Sequence, residues 1–166
     1  MPDSRYQVLI LCTGNSARSI LAEAAINHLP TLRERFVGHS AGSQPRGEVN
    51  PYALELLQRA GIDTQSLRSK SWDEFAAPGA PPLHFVFTVC DSAAGETCPY
   101  WPGQPMTAHW GMPDPAAVVG SEEQIRRAFL QTWQLLCRRL ELFASLPMAS
   151  LDRLALQQRL QQIGQS

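Results

Sequence analysis

Val8-Leu9-Ile10-Leu11-Cys12-Thr13-Gly14-Asn15-Ser16-Ala17-Arg18-Ser19 is the stretch whose reading decides the fold. Its apolar run, residues 7–11, reads as a buried strand that passes directly into a short loop. Ile20, Leu21, Ala24, Ala25 and Leu29 then recur at helical spacing, so residues 17–29 form the following helix. A small, polar loop between a strand and a helix can aim its backbone N–H groups inward as an anion-binding nest. Cys12 lies at the floor of that nest, where amides, a helix N-terminus and Arg18 favour a thiolate over a thiol. Arg18 adds a planar fork suited to two oxygens of a tetrahedral oxyanion. Thr13, Gly14, Asn15, Ser16, Ala17, Arg18 and Ser19 are thus the candidate oxyanion cradle, with Cys12 as its candidate nucleophile.

Working outward, strands and helices alternate. Residues 36–41 form a second strand closed by Gly42-Ser43, and residues 51–60 a helix with Asn50 as cap, Pro51 at its first position and Gly61 after its end. Residues 71–75 read as a turn of helix, and 83–89 as the most strand-like segment, ending at Cys90. The Gly- and Pro-rich stretch 91–105 reads as a loop able to rearrange, and 104–110 as a last short strand. A long amphipathic helix starts at the cap Ser121, carries Glu122 and Glu123 in its first turn and runs to about 145. Residues 150–163 form a terminal helix after the break at Leu146-Pro147. The expected architecture is α/β: a three-layer sandwich on a small parallel sheet of about four strands, with an extra C-terminal helix. Residues 1–146 make the domain, and 147–166 extend it.

The 166 residues suffice for one such core, and a formal net charge of −1 gives no electrostatic footprint for nucleic acid or an anionic membrane. With neither a signal peptide nor an apolar run long enough to span a bilayer, the expectation is a soluble, cytoplasmic protein. In that compartment Cys12, Cys90, Cys98 and Cys137 point to catalysis or redox chemistry rather than structural staples, and their spacings match no common zinc pattern.

The string Cys12-Thr-Gly-Asn-Ser-Ala-Arg18-Ser19 resembles the phosphate-binding loop of low-molecular-weight tyrosine phosphatases, and still more that of the arsenate reductases sharing their fold. Ser40-Ala-Gly-Ser-Gln-Pro45, Thr88-Val-Cys90 with Cys98, and His109-Trp-Gly-Met-Pro-Asp114-Pro115 extend the resemblance from residue 7 to about 145. It implies that Asp114 protonates the leaving oxygen as Cys12 attacks, that Ser19 hydrogen-bonds the Cys12 thiolate, and that Asn15 braces the loop. Some members also hold a potassium ion through residues matching Asn15, Glu23, Ser40 and Asp63, although Glu23 reads more simply as a solvated helix carboxylate. No tightly bound cofactor is implied.

Two chemistries share Cys12, Arg18 and Asp114. A phosphatase lets water hydrolyse a phosphocysteine. A reductase brings a second thiol to the Cys12–arsenic adduct, so that arsenite departs as a disulfide forms. Only the reductase needs further cysteines, and Cys90 emerges at the same sheet edge as Cys12, with Cys98 eight residues on in a rearrangeable loop. The expectation is arsenate reduction through a Cys12–Cys90–Cys98 relay, with phosphate and sulfate as competing oxyanions. Thioredoxin is the favoured reductant and glutaredoxin with glutathione the other route. Two departures from the phosphatases agree: Ala116-Ala117 follow Pro115 where those enzymes usually carry an aromatic residue, and Ala17 stands where they commonly have a second cysteine. Phosphate-monoester hydrolysis remains the alternative, and a non-catalytic oxyanion-binding module the third reading. Cys137 reads as a core thiol among Phe129, Trp133, Leu136 and Leu140, and His109 as packed and hydrogen-bonded.

Overall fold

Val8, Leu9, Ile10 and Leu11 are all completely buried, as a strand covered on both faces requires. They belong to β1 (Tyr6–Leu11), which pairs in parallel with β2 (Phe36–Ala41) on one side and β3 (Phe85–Thr88) on the other. β4 (Met106–His109) continues the sheet past β3, giving the order β2-β1-β3-β4, parallel throughout. The structure, a computed structural model, describes residues 5–90, 101, 104–148 and 153–166. The expected 91–105 loop, including Cys98, lies largely outside the described residues.

The helices are α1 (Arg18–His28), α2 (Pro30–Arg33), α3 (Pro51–Arg59), α4 (Asp73–Ala76), α5 (Glu122–Ala144) and α6 (Arg153–Gly164). Asn50 caps α3 and Ser121 closes a capping box with Gln124 on α5, so both starts follow from side chains visible in the sequence. The short helix α2 and a 3-10 turn at Pro115–Ala117 are additions to the sequence reading; each begins with a proline whose φ is already set for a helical turn. β3 is shorter than the expected 83–89, yet its pairing with β1 carries on at both ends through His84 N–H to Gln7 O and Val89 N–H to Leu11 O.

Alternation along β1 divides the core. Val8 and Ile10 join the larger cluster, built with Leu21, Ala25, Leu57, Leu136 and Leu160 from α1, α3, α5 and α6. Leu9 and Leu11 face the other way, toward Phe75, Leu83 and Val86, with Trp72 and Trp101 packed alongside. Phe143 of α5 is completely buried among the rings of Phe36, Phe85, Phe87 and Trp110, at centroid distances of 4.7, 4.9, 5.2 and 6.0 Å. α6 lies beside β4, where Gln157 Nε2 donates to Thr107 O (2.6 Å) and Arg153 Nη2 to Gln104 O (3.1 Å). Those bonds occupy backbone acceptors that the last strand of the sheet would otherwise expose. No helix among the described residues is long and apolar enough to cross a membrane.

Replacing Phe143 by Ala empties the centre of this ring cluster and is expected to cost about 3–5 kcal/mol of unfolding free energy. Denaturant unfolding should show a lower midpoint at unchanged slope; a loss under about 1 kcal/mol would contradict the packing described.

Candidate active site

The register sets Leu11 beside Thr88, so β1 and β3 both release their next residues at the carboxyl edge of the sheet. The chain crosses from β1 to β2 on one side and to β3 on the other, and a crevice opens at that reversal. Cys12 follows β1 and Cys90 follows β3 by two residues; both thiols are buried, and both line the same cleft. The cleft above them is lined by the whole run from Cys12 to Arg18 and by Gln44, Arg46, Cys90, Asp114 and Ala116.

The nest is made by tying its carbonyls outward. Thr13 O accepts from Gln44 N–H (3.0 Å), Gly14 O from Arg46 N–H (3.0 Å) and Ser69 Oγ (3.2 Å), and Ser16 O from Asn50 N–H (2.9 Å). In a trans peptide the next residue's N–H points opposite to the C=O, which aims the amides of Gly14, Asn15 and Ala17 inward. This girdle needs close approach: a Cβ on Gly42 would lie 2.3 Å from Thr13 O and 2.5 Å from Cys12 O. Gly42 is therefore the glycine the site requires. Asn15 adopts the left-handed conformation at φ 44°, which asparagine tolerates, and is completely buried. Its Nδ2 donates to Ser19 Oγ (2.8 Å) and its Oδ1 accepts from Lys70 N–H (2.8 Å), bracing the loop as the sequence reading expects.

Ser19 Oγ thus meets Asn15, whereas the groups acting on the Cys12 sulfur are Cys90, Arg18 and the Thr13 amide. Here the expectation of a favoured thiolate needs correction. The hydrogen bond with Cys90, followed by burial, pushes the Cys12 thiol well above the ordinary thiol range, against Arg18 and the Thr13 N–H, which pull it down. Two adjacent sulfurs cannot readily both carry negative charge, so the pair supports one thiolate at most. Thr13 engages Cys90 as well, through its N–H (3.3 Å) and its hydroxyl (3.6 Å) to Cys90 Sγ.

Arg18 spans the cleft to the acid loop. Its Nη1 donates to Met112 O (2.9 Å) and its Nη2 stands 3.6 Å from Asp114 Oδ2. Asp114 also caps the 3-10 turn, accepting from Ala116 N–H at 2.9 Å, so it serves the turn with one oxygen and faces Arg18 with the other. Ala116 stands in the cleft wall, at the place where an aromatic would narrow it.

Beneath the loop, Ser40 Oγ donates to Glu23 Oε1 (2.6 Å), and Lys70 Nζ lies 3.4 Å from the same oxygen with both side chains 9 % exposed. Glu23 is therefore a buried, paired carboxylate and not the solvated one expected. These groups do not make a potassium site. The Lys70 ammonium already lies against the carboxylate, Asn15 is engaged by Ser19 and Lys70, and Asp63 is exposed, accepting from Gln65 N–H. Among the described residues no group of three or more His, Cys, Asp or Glu is arranged to hold a metal.

The structure brings Cys12, Arg18, Cys90 and Asp114 to one cleft; Cys98 lies outside the described residues. Gln44, Arg46 and Lys70 are site neighbours that the sequence reading missed. Arg46 packs across Gly14, its Nε 3.2 Å from where a Cβ there would lie, and adds a second guanidinium to the cleft wall. Only their nearness to Gly42 in the fold reveals them. Cys137 packs against the core, and burial with Glu141 pushes its thiol up to about 12. His109 Nδ1 is hydrogen-bonded to Thr88 Oγ1 at 2.7 Å.

Known proteins are similar to this chain in sequence and fold. The arsenate reductase of Bacillus licheniformis is 37 % identical over 129 residues, covering 77 % of this chain and 86 % of that protein. A solved arsenate reductase in a phosphate-binding state superposes with a TM-score of 0.61 at 25 % identity, covering 82 % of this chain and 96 % of the other. The thioredoxin-dependent arsenate reductase of Corynebacterium glutamicum shares the fold with a TM-score of 0.55 at 24 % identity; the match covers 81 % of this chain but only 62 % of that protein's length. The family model for low molecular weight phosphotyrosine protein phosphatases matches residues 7–156. A match running from the first strand into the last helix means that the chain belongs to the low molecular weight phosphotyrosine protein phosphatase family.

Proposed function

We propose that this chain reduces arsenate to arsenite with Cys12 as nucleophile and Cys90 as the resolving thiol. The observation that carries the reading is that two buried thiols, Cys12 and Cys90, share the floor of an oxyanion-shaped cleft. The curated relatives named arsenate reductase support the same activity. Arsenate enters the nest with its oxygens on the inward amides and the Arg18 fork. The Cys12 thiolate attacks arsenic, and Asp114 gives its proton to a departing oxygen, which leaves as water. Cys90 then attacks the Cys12 sulfur. The sulfur–arsenic electron pair returns to arsenic, taking it from the +5 to the +3 state, and arsenite leaves as the Cys12–Cys90 disulfide forms. Attack of Cys98 on Cys90 frees Cys12 and passes the disulfide to Cys98.

An external dithiol reduces that disulfide. Thioredoxin is the proposed donor, in keeping with the thioredoxin-dependent protein of the same fold, and a glutaredoxin–glutathione couple is its competitor in the assay. Hydrolysis of phosphate monoesters would use the same nest, but it gives Cys90 no role. The alanine in the cleft wall also offers an aryl ester no ring to stack on.

In an assay coupling thioredoxin to NADPH consumption, arsenate is expected to support turnover by the wild-type protein. Cys12→Ser, Cys90→Ser and Cys98→Ser should each abolish it, and Asp114→Asn should lower it by about 10²–10⁴-fold. Persistent turnover in both Cys90→Ser and Cys98→Ser would sink the relay. Replacing thioredoxin by glutaredoxin and glutathione in parallel identifies the donor.

The thiol pair also predicts a pH effect. Because Cys90 raises the Cys12 thiol, Cys90→Ala should shift the midpoint of Cys12 alkylation by iodoacetamide to lower pH and enlarge the thiolate fraction at neutrality. An unchanged or higher midpoint would mean that Cys90 does not hold the Cys12 proton.

A further inference from the structure

The turn that carries Asp114 starts where β4 ends, and there the backbone carbonyls have run out of sheet partners. Trp110 N–H still bonds Thr88 O (2.7 Å), but Trp110 O and Gly111 O both accept from Nη1 of Arg139, at 3.1 and 3.3 Å. Nη2 of the same guanidinium reaches Ser166 O at 3.3 Å, beyond the end of α6. α6 closes on this corner from the same direction. Leu160 O accepts from Trp110 Nε1 (3.0 Å), and a Cβ on Gly164 would lie only 2.4 Å from His109 O. From the cleft side Arg18 holds Met112 O, so the three residues 110–112 are gripped by two arginines.

Arg139 is an expensive way to fill this part of the core. It is 5 % exposed, its acceptors are backbone oxygens, and its Nε has no hydrogen-bond partner among the described residues. Burial and the neighbouring Arg138 pull its pKa below the ordinary arginine range. A methionine of similar length would fill the space without desolvating a charge. What it could not do is gather three backbone oxygens from two segments with one rigid fork.

We propose that Arg139 is a positioning residue for Asp114, fixing the 110–112 backbone against the end of α6 so that the acid faces Arg18 across the cleft. The proposal rests on the reductase reading for its kinetic consequence and on the geometry alone for its structural one. It also gives the terminal helix a part in the site, as the surface against which the acid loop is braced.

The test uses Arg139→Met and Arg139→Lys in the full chain, each made in the wild-type and Asp114→Asn backgrounds. Arg139→Met is expected to lower kcat for arsenate by about tenfold in the wild-type background and by less than about twofold where the acid is already absent. Phosphate should protect Cys12 from iodoacetate in Arg139→Met at concentrations within about twofold of wild type, because the nest is untouched. Arg139→Lys, with the charge but not the fork, should recover only part of the rate. Independently of activity, amide hydrogen exchange over residues 110–117 should quicken by about tenfold in Arg139→Met, with residues 12–18 unchanged. Equal kinetic losses in the two backgrounds, or unchanged exchange over 110–117, overturn the proposal. A wild-type protein that does not turn over arsenate overturns the reductase reading instead, and the exchange comparison still decides the role of Arg139.

Discussion

Parallel pairing of β1 with β3 is the constraint on which the site depends. Parallel strands end on the same edge, and the register of Leu11 with Thr88 brings the residues after them out side by side. Cys12 and Cys90 are 78 positions apart in the sequence, yet that pairing makes their sulfurs neighbours. A one-residue slip would turn every side chain of β1 to the opposite face and bury the wrong half of both clusters. The division of Val8 and Ile10 from Leu9 and Leu11 therefore holds the two thiols in register as firmly as any contact in the cleft.

Around that pair the chain arranges charge on both sides of the loop. Inward amides and Arg18 favour an oxyanion above the thiols, while Glu23 and Lys70 form a buried pair below the loop. Within the cleft Arg18 donates to Met112 O and faces Asp114, and the Thr13 amide donates to Cys90 Sγ.

The strands and helices were legible where a local rule governs them. Continuous apolar residues announced β1, Asn50 before Pro51 announced α3, and Ser121 with two glutamates announced α5. The cleft was legible too: strand-end positions place Cys12 and Cys90 on one edge, the loop spacing adds Arg18, and the family resemblance supplied Asp114. What escaped depends on contacts between distant segments. Glu23 looks solvated in sequence because its partners are 17 and 47 residues away, at Ser40 and Lys70. The direction of the Cys12 shift escaped because the nest argument counted donors and left out the neighbouring thiol. The task of α6 was unreadable for the same reason: its bonds to Thr107 and Trp110 span 50 residues each.

The proposed reaction requires the cleft to pass two electrons from its thiols to the bound oxyanion. The most direct measurement is a single turnover of fully reduced protein with excess arsenate and no external reductant, followed by arsenite quantitation and disulfide mapping. Arsenite is expected in stoichiometric amount with the chain, together with a Cys90–Cys98 disulfide and Cys12 returned as a free thiol. Arsenate recovered unreduced, with all four cysteines still alkylatable, would contradict it.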